Sequence, residues 1–131
     1  MAANSTKQKD RPHPDRLVRQ LEKSMSFIRA NFHRAPTLLE LAAAAELSPF
    51  HFHRCFARHF GKSPKRVVDE LRIAEARRLL AGNLPIPNIA RKLGFAHQSH
   101  LIHRFKMLTG TTPGRWRKSL REDAAEMQLA A

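Results

Sequence analysis

This sequence predicts an all-α fold of about seven helices, arranged as two helix-turn-helix units joined by a linker helix, and three observations carry that expectation. Apolar residues recur at intervals of three and four, tyrosine is absent and β-branched residues are scattered, which is the pattern of amphipathic helices rather than of strands. Serine or threonine followed by proline opens several of these segments and glycine closes them, the chemistry of helix starts and stops. The third observation is an internal repeat. Ala42 aligns with Ala90 and Leu47 with Phe95 at an offset of 48, then Phe52 with Leu101, Phe56 with Phe105, Gly61 with Gly110 and Pro64 with Pro113 at 49. The one-residue difference falls inside a turn, so the chain holds two copies of one supersecondary unit.

Taken in order, residues 1–13 are polar and basic and read as a flexible tail. A first helix runs from Asp15 with Leu17, Leu21, Met25, Ile28 and Phe32 as its stripe, ending before Ala35-Pro36 because the residue before proline disfavours helix. Thr37 and Glu40 have capping-box spacing and open a second helix through Leu38, Leu41, Ala42 and Ala45. Ser48-Pro49 opens a third, with Phe52, Phe56 and Phe60 on one face and Gly61 as its stop, which completes a first subdomain over 14–62. Ser63-Pro64 starts a linker helix over 63–82, carrying Val67, Val68, Leu71, Leu79 and Leu80, with Asp69 to Arg72 and Glu75 to Arg78 three apart as ion pairs.

The second subdomain, 83–127, begins with Ile86, Ile89, Ala90 and Leu93 on one face. Gly94 supplies a left-handed residue at the turn, and Leu101, Phe105 and Leu108 repeat the stripe. Thr112-Pro113 opens the last helix, with Trp116, Leu120 and Met127, and residues 128–131 form a tail.

Composition narrows the partners. Lys plus Arg number 24 against 11 Asp plus Glu, a formal charge of +13 and an isoelectric point near 11.4. Polyanions are the expected partners, although charge alone does not separate DNA, RNA and anionic lipid. A membrane surface fits worst, because the basic residues are spread over several helices. No run approaches the roughly 18 apolar residues of a membrane span, and the polar start has no signal-peptide core. The single Cys55 excludes an intrachain disulfide and reads as a packed thiol, so a cytoplasmic protein is expected.

The sequence has no G-x-S-x-G, no H-E-x-x-H and no phosphate-cradling glycine loop, so neither an enzyme nor a cofactor is expected. His97, His100 and His103, spaced by three, would spread around a helix instead of converging, and His51 and His53 add no carboxylate or thiolate; a metal site is not expected either. The exposed face of the second arm instead carries Gln98, Ser99, His100, His103 and Arg104, side chains able to address base edges and phosphates. Phe50 lies off the apolar stripe of its helix, where a thymine-methyl contact and an inconsequential surface aromatic both remain open.

The stretches LSPFHFHRCFARHFGKSP, LRIAEARRLL and IARKLGFAHQSHLIHRFKMLTGTTPGRWR, covering about residues 25–118, resemble the DNA-binding region of the AraC/XylS family of bacterial transcription regulators, and in particular its stand-alone subgroup typified by MarA, SoxS and Rob. The resemblance implies a homeodomain-like tandem repeat. It also implies a monomer that sets two recognition helices in successive major-groove segments of promoter DNA about 34 Å apart, activates transcription by touching RNA polymerase, and resides in the bacterial cytoplasm at the nucleoid.

Carried over residue by residue, the first recognition helix would present Phe50, His51, His53 and Arg54 to bases, and the second Gln98, Ser99, His100, Ile102 and His103. Arg58, Lys62, Arg104 and Lys106 would hold phosphates. The chain departs from the family pattern at His103, often arginine, at Ile102, often serine or threonine, at Glu46, often glycine, and at Trp116, usually tyrosine. Pro85 and Pro87 stand where a hydroxyl cap and a small residue are usual, which delays the helix start. Several histidines facing phosphate predict tighter binding below pH ~6.5. The competing classes are a nonspecific or architectural nucleic-acid binder, for which +13 would suffice, and a module whose basic face binds an acidic protein.

Overall fold

A computed structural model describes residues 14–130; the expected tail over 1–13 and Ala131 lie outside the described residues. Among the described residues there are seven α-helices and no strand: α1 (Pro14–Asn31), α2 (Leu38–Ala45), α3 (Pro49–Phe60), α4 (Pro64–Leu80), α5 (Ile86–Lys92), α6 (Gln98–Thr109) and α7 (Pro113–Ala130), with a 3-10 turn at Phe32–Arg34 after α1. No helix among them is long and apolar enough to cross a membrane. The chain divides into two compact units, one holding residues 14–30 and Thr37–Pro64, the other Asn31–Pro36 and residues 65–130.

In the first unit, Pro14 occupies the first position of α1 and Asp15 its first turn, where a carboxylate favours the positive end of the helix. Leu21, Met25 and Ile28 are buried from α1, Leu41, Ala42 and Ala45 from α2, and Phe52 and Phe56 from α3; each large side chain removed from water contributes roughly 1.5–3 kcal/mol. Leu38 behaves differently from its expected place on the apolar face. It is the first residue of α2 and stays 40% exposed. The capping box forms, with Glu40 N–H donating to Thr37 Oγ1 at 3.2 Å and Glu40 Oε1 accepting from Thr37 N–H. At the end of α2, Glu46 takes a left-handed conformation, φ 58°, and its carbonyl accepts from Gln20 Nε2. Ser48 then caps α3 by accepting from His51 N–H at 3.3 Å. Phe52, Phe56 and Phe60 stack along α3, with centroids 5.4 and 4.6 Å apart.

In the second unit the linker helix is part of the core rather than a bare rod. Ile73, Ala76 and Leu80 of α4 pack with Ile89, Ala90, Leu93, Phe95, Leu101 and Phe105, and Ile86, Leu108 and Trp116 flank them. The chain enters this unit through Asn31–Pro36: the helix expected to run up to Ala35-Pro36 stops at Asn31, so Phe32 lies in the 3-10 turn that follows, ahead of a left-handed Ala35, φ 51°. That segment sets the requirement at Gly94. Its φ of +79° suits glycine, and a Cβ there would also lie 2.7 Å from the His33 carbonyl oxygen. α5 starts at Ile86, with Pro85 at its cap position and Pro87 in its first turn. This is the register of Leu38 at the repeat offset of 48, so the late start expected from the two prolines does not occur.

α7 packs Trp116 edge-on against Phe105, centroids 5.8 Å apart, while the Arg77 guanidinium covers the indole at 4.9 Å. Arg117 donates to the carbonyls of Leu80 and Leu84, which supplies partners at the end of α4. Beyond Leu120 the helix is exposed. Met127, expected on its apolar face, is 75% exposed.

Candidate nucleic-acid interface

Each unit ends its helix pair with a twelve-residue helix, α3 in the first and α6 in the second. Neither contains a single Asp or Glu, although the chain has 11. On α3, burying Phe52 and Phe56 turns Phe50, His53, Arg54 and Arg58 outward, and His51 is half-buried beside them. Arg54 lies over the Phe50 ring, 5.2 Å from its centroid, so the 75% exposed aromatic and the guanidinium form one feature. Leu17, His51, Arg54, Cys55 and Arg58 line a groove of about 370 Å³ within this unit. Its charged groups are cationic or imidazole, and the half-buried Cys55 forms part of its wall. Lys62 is exposed just after the Gly61 stop.

On α6, burial of Leu101 and Phe105 leaves Gln98, Ser99, His100, His103 and Lys106 exposed, with Ile102 half-buried. Gln98 and Ser99 are the first two residues of the helix, the place from which a helix seated in a major groove reaches base edges. Two of the predicted contacts have partners inside the unit. His100 packs edge-on against Phe95, centroids 5.3 Å apart, and partial burial, with Arg72 nearby, pulls its imidazole below the usual histidine range. Arg104 is paired with the buried carboxylate of Asp69, its own side chain 20% exposed.

The expected Asp69 to Arg72 pair exists, at 2.9 Å, and is almost wholly buried. Its second partner escaped sequence reasoning, because a contact across 35 residues has no periodic signature and Asp69 reads locally as half of a helical i,i+3 pair. Glu75 and Arg78 also pair as spaced, on the surface. Among the described residues no three His, Cys, Asp or Glu side chains converge as a metal site would require.

A helix-turn-helix domain family matches residues 41–119. The transcriptional regulator GlxA of Rhizobium meliloti is 36% identical over 107 residues, 81% of this chain and 32% of that protein. The bifunctional transcriptional activator and DNA repair enzyme AdaA of Bacillus subtilis is 34% identical over 93 residues, 70% of this chain and 44% of that protein. The chain thus spans less than half the length of these relatives. The DNA-binding domain of the global transcriptional factor AdpA, solved in complex with a target DNA, superposes with a TM-score of 0.74 at 25% identity, over 79% of this chain and 94% of that domain. Tandem helix pairs, acid-free second helices and these likenesses agree, and the chain belongs to the AraC family of helix-turn-helix transcription regulators.

Proposed function

We propose that this chain reads specific double-stranded promoter DNA by setting α3 and α6 into successive major-groove segments, and that it regulates transcription by doing so. The observation that carries the reading is the composition of the two outward faces: no carboxylate on either helix, cations on both, and at the start of α6 the uncharged pair Gln98 and Ser99. Cations alone would serve to grip a backbone. A carboxamide at the head of the helix suits base recognition, since it can pair bidentately with adenine in the major groove.

In this reading Phe50, His51, His53 and Arg54 address one block of sequence and Gln98, Ser99, His100, Ile102 and His103 the other. Arg58, Lys62 and Lys106 hold phosphates and fix the register without reading it. Arg54 is the principal reader on α3, because stacking on Phe50 restrains a guanidinium whose fork matches guanine. Activation through contact with RNA polymerase, action as a monomer and residence in a bacterial cytoplasm complete the proposal, supported by the family and by the activator role of AdaA. A chain of charge +13 also suits an architectural binder of any duplex. The two are separated by selecting duplexes from a random library and comparing the winner with random DNA at fixed salt. A regulator gives a ratio on the order of 10³ or more. A ratio near one, with steep salt dependence, would sink the proposal.

A further inference from the structure

Asp69 sits in the interior of the second unit with 2% of its side chain exposed. Its Oδ1 accepts from Arg72 Nη2 at 2.9 Å, and its Oδ2 is paired with Arg104 of α6. Arg72 is equally committed. Its side chain is 6% exposed, its Nη1 donates to the Leu93 carbonyl at 3.4 Å, and its guanidinium lies 3.9 Å over the centre of the Phe95 ring. Phe95 in turn receives His100 edge-on. One carboxylate on α4 therefore reaches, through these neighbours, the residue that caps the end of α5, the residue after Gly94 and two points on α6.

As a source of stability this arrangement is poor. It desolvates three charges, and the Nε atoms of Arg72 and Arg104 find no acceptor among the described residues. Apolar side chains of similar volume often do as well or better in such a place. What a carboxylate shared by two guanidiniums supplies, and an apolar contact does not, is direction, because each hydrogen bond holds only over a narrow range of angle. Direction matters most where the exposed face of the same helix carries Gln98, Ser99 and His103, since side chains that recognise a partner must be held to about 0.5 Å.

We infer that Asp69 is a positioning residue for sequence readout by α6. Through Arg72 it fixes the turn after α5, through Arg104 it fixes the rotation of α6, and Arg104 is consumed in this role rather than bound to phosphate. The inference rests on the DNA-reading proposal above.

Arg104→Gln, Asp69→Asn, the double variant and Arg104→Lys would each be titrated with the selected duplex, with duplexes altered in one block at a time, and across a range of salt. Amide exchange would be followed in the free proteins. The expected result is at least a tenfold loss of discrimination within the α6 block, unchanged discrimination in the α3 block and an unchanged salt slope. The double variant should do no worse than either single one, and Arg104→Lys should restore most of the loss. Exchange of residues 95–104 should quicken while α3 stays as it was.

An equal loss for every duplex, with a salt slope lower by about 0.9, would make Arg104 a phosphate ligand and overturn the inference. A lower melting temperature with both blocks still discriminated would make the network merely structural. Should Asp69→Asn fail to fold, Arg104→Gln, altered at the partly exposed end, carries the test. Selection of no consensus overturns the DNA-reading proposal instead, and amide exchange in the free proteins then decides the tie: unchanged exchange in residues 95–104 overturns it.

Discussion

At the scale of single residues, two positions show local chemistry at odds with local conformation. Glu46 holds a left-handed backbone, φ 58°, that costs a side-chain-bearing residue roughly 1–2 kcal/mol. Glycine removes that cost but loses more entropy on folding, by roughly 0.5–1 kcal/mol. Glu46→Gly should therefore stabilise the protein by about 0.5 kcal/mol, seen as a small rise in the urea midpoint, whereas Glu46→Val should lower it. His100 is the other position. Burial comes first and Arg72 second in holding its imidazole below the ordinary range. The unfolded chain then binds more protons just below pH ~6.5, and the contribution of His100 to stability is lost as the pH falls through its folded value. Under the proposed DNA reading the outward histidines would act oppositely, since added positive charge beside phosphate favours binding. Affinity at constant salt should rise as the pH falls from 8 to 5.5. His53→Gln and His103→Gln should flatten that rise, and His100→Gln should leave most of it; a profile flat in the wild type would remove the histidines from the account.

At the scale of elements, the sequence carried most of what the fold uses. Ser48-Pro49, Thr37 with Glu40, and the phenylalanines of α3 are local signals, and each produced the cap, box or stripe that its spacing requires. What was not legible depends on distant neighbours. Nothing near Leu38 or Met127 announces that they stay exposed among the described residues, and nothing near Asp69 announces Arg104. The turn at Gly94 lies between these cases. Its left-handed backbone was readable from the glycine, but the approach of the His33 carbonyl was not. Gly61 shares the left-handed backbone, φ +75°, and has open space around it. Gly94→Ala should thus cost more than the roughly 1–2 kcal/mol expected of Gly61→Ala, and the difference between the two in thermal or urea unfolding measures the steric part. Equal costs would mean that the Asn31–Pro36 segment yields without penalty.

For the whole molecule, charge and topology make separate contributions. A formal +13 draws the protein to any polyanion, with log affinity falling linearly against log salt. Two helix pairs, each ending in an acid-free helix, are what the proposed readout adds to that attraction. The outward faces were legible in the sequence, because burying the apolar stripe leaves only one side of each helix available. What else those residues touch was not legible, since His100 also packs edge-on against Phe95 and Arg104, expected on phosphate, pairs with the buried Asp69.

The measurement that bears most directly on tandem readout is the affinity of Arg54→Ala and Gln98→Ala for the selected duplex and for duplexes altered in each of its blocks. The account predicts an asymmetric consensus with two short blocks about 10 bp apart. Each substitution should cost about 1–3 kcal/mol and relax specificity in a different block. A uniform loss across all duplexes, from either substitution, would contradict it and leave an electrostatic binder in its place.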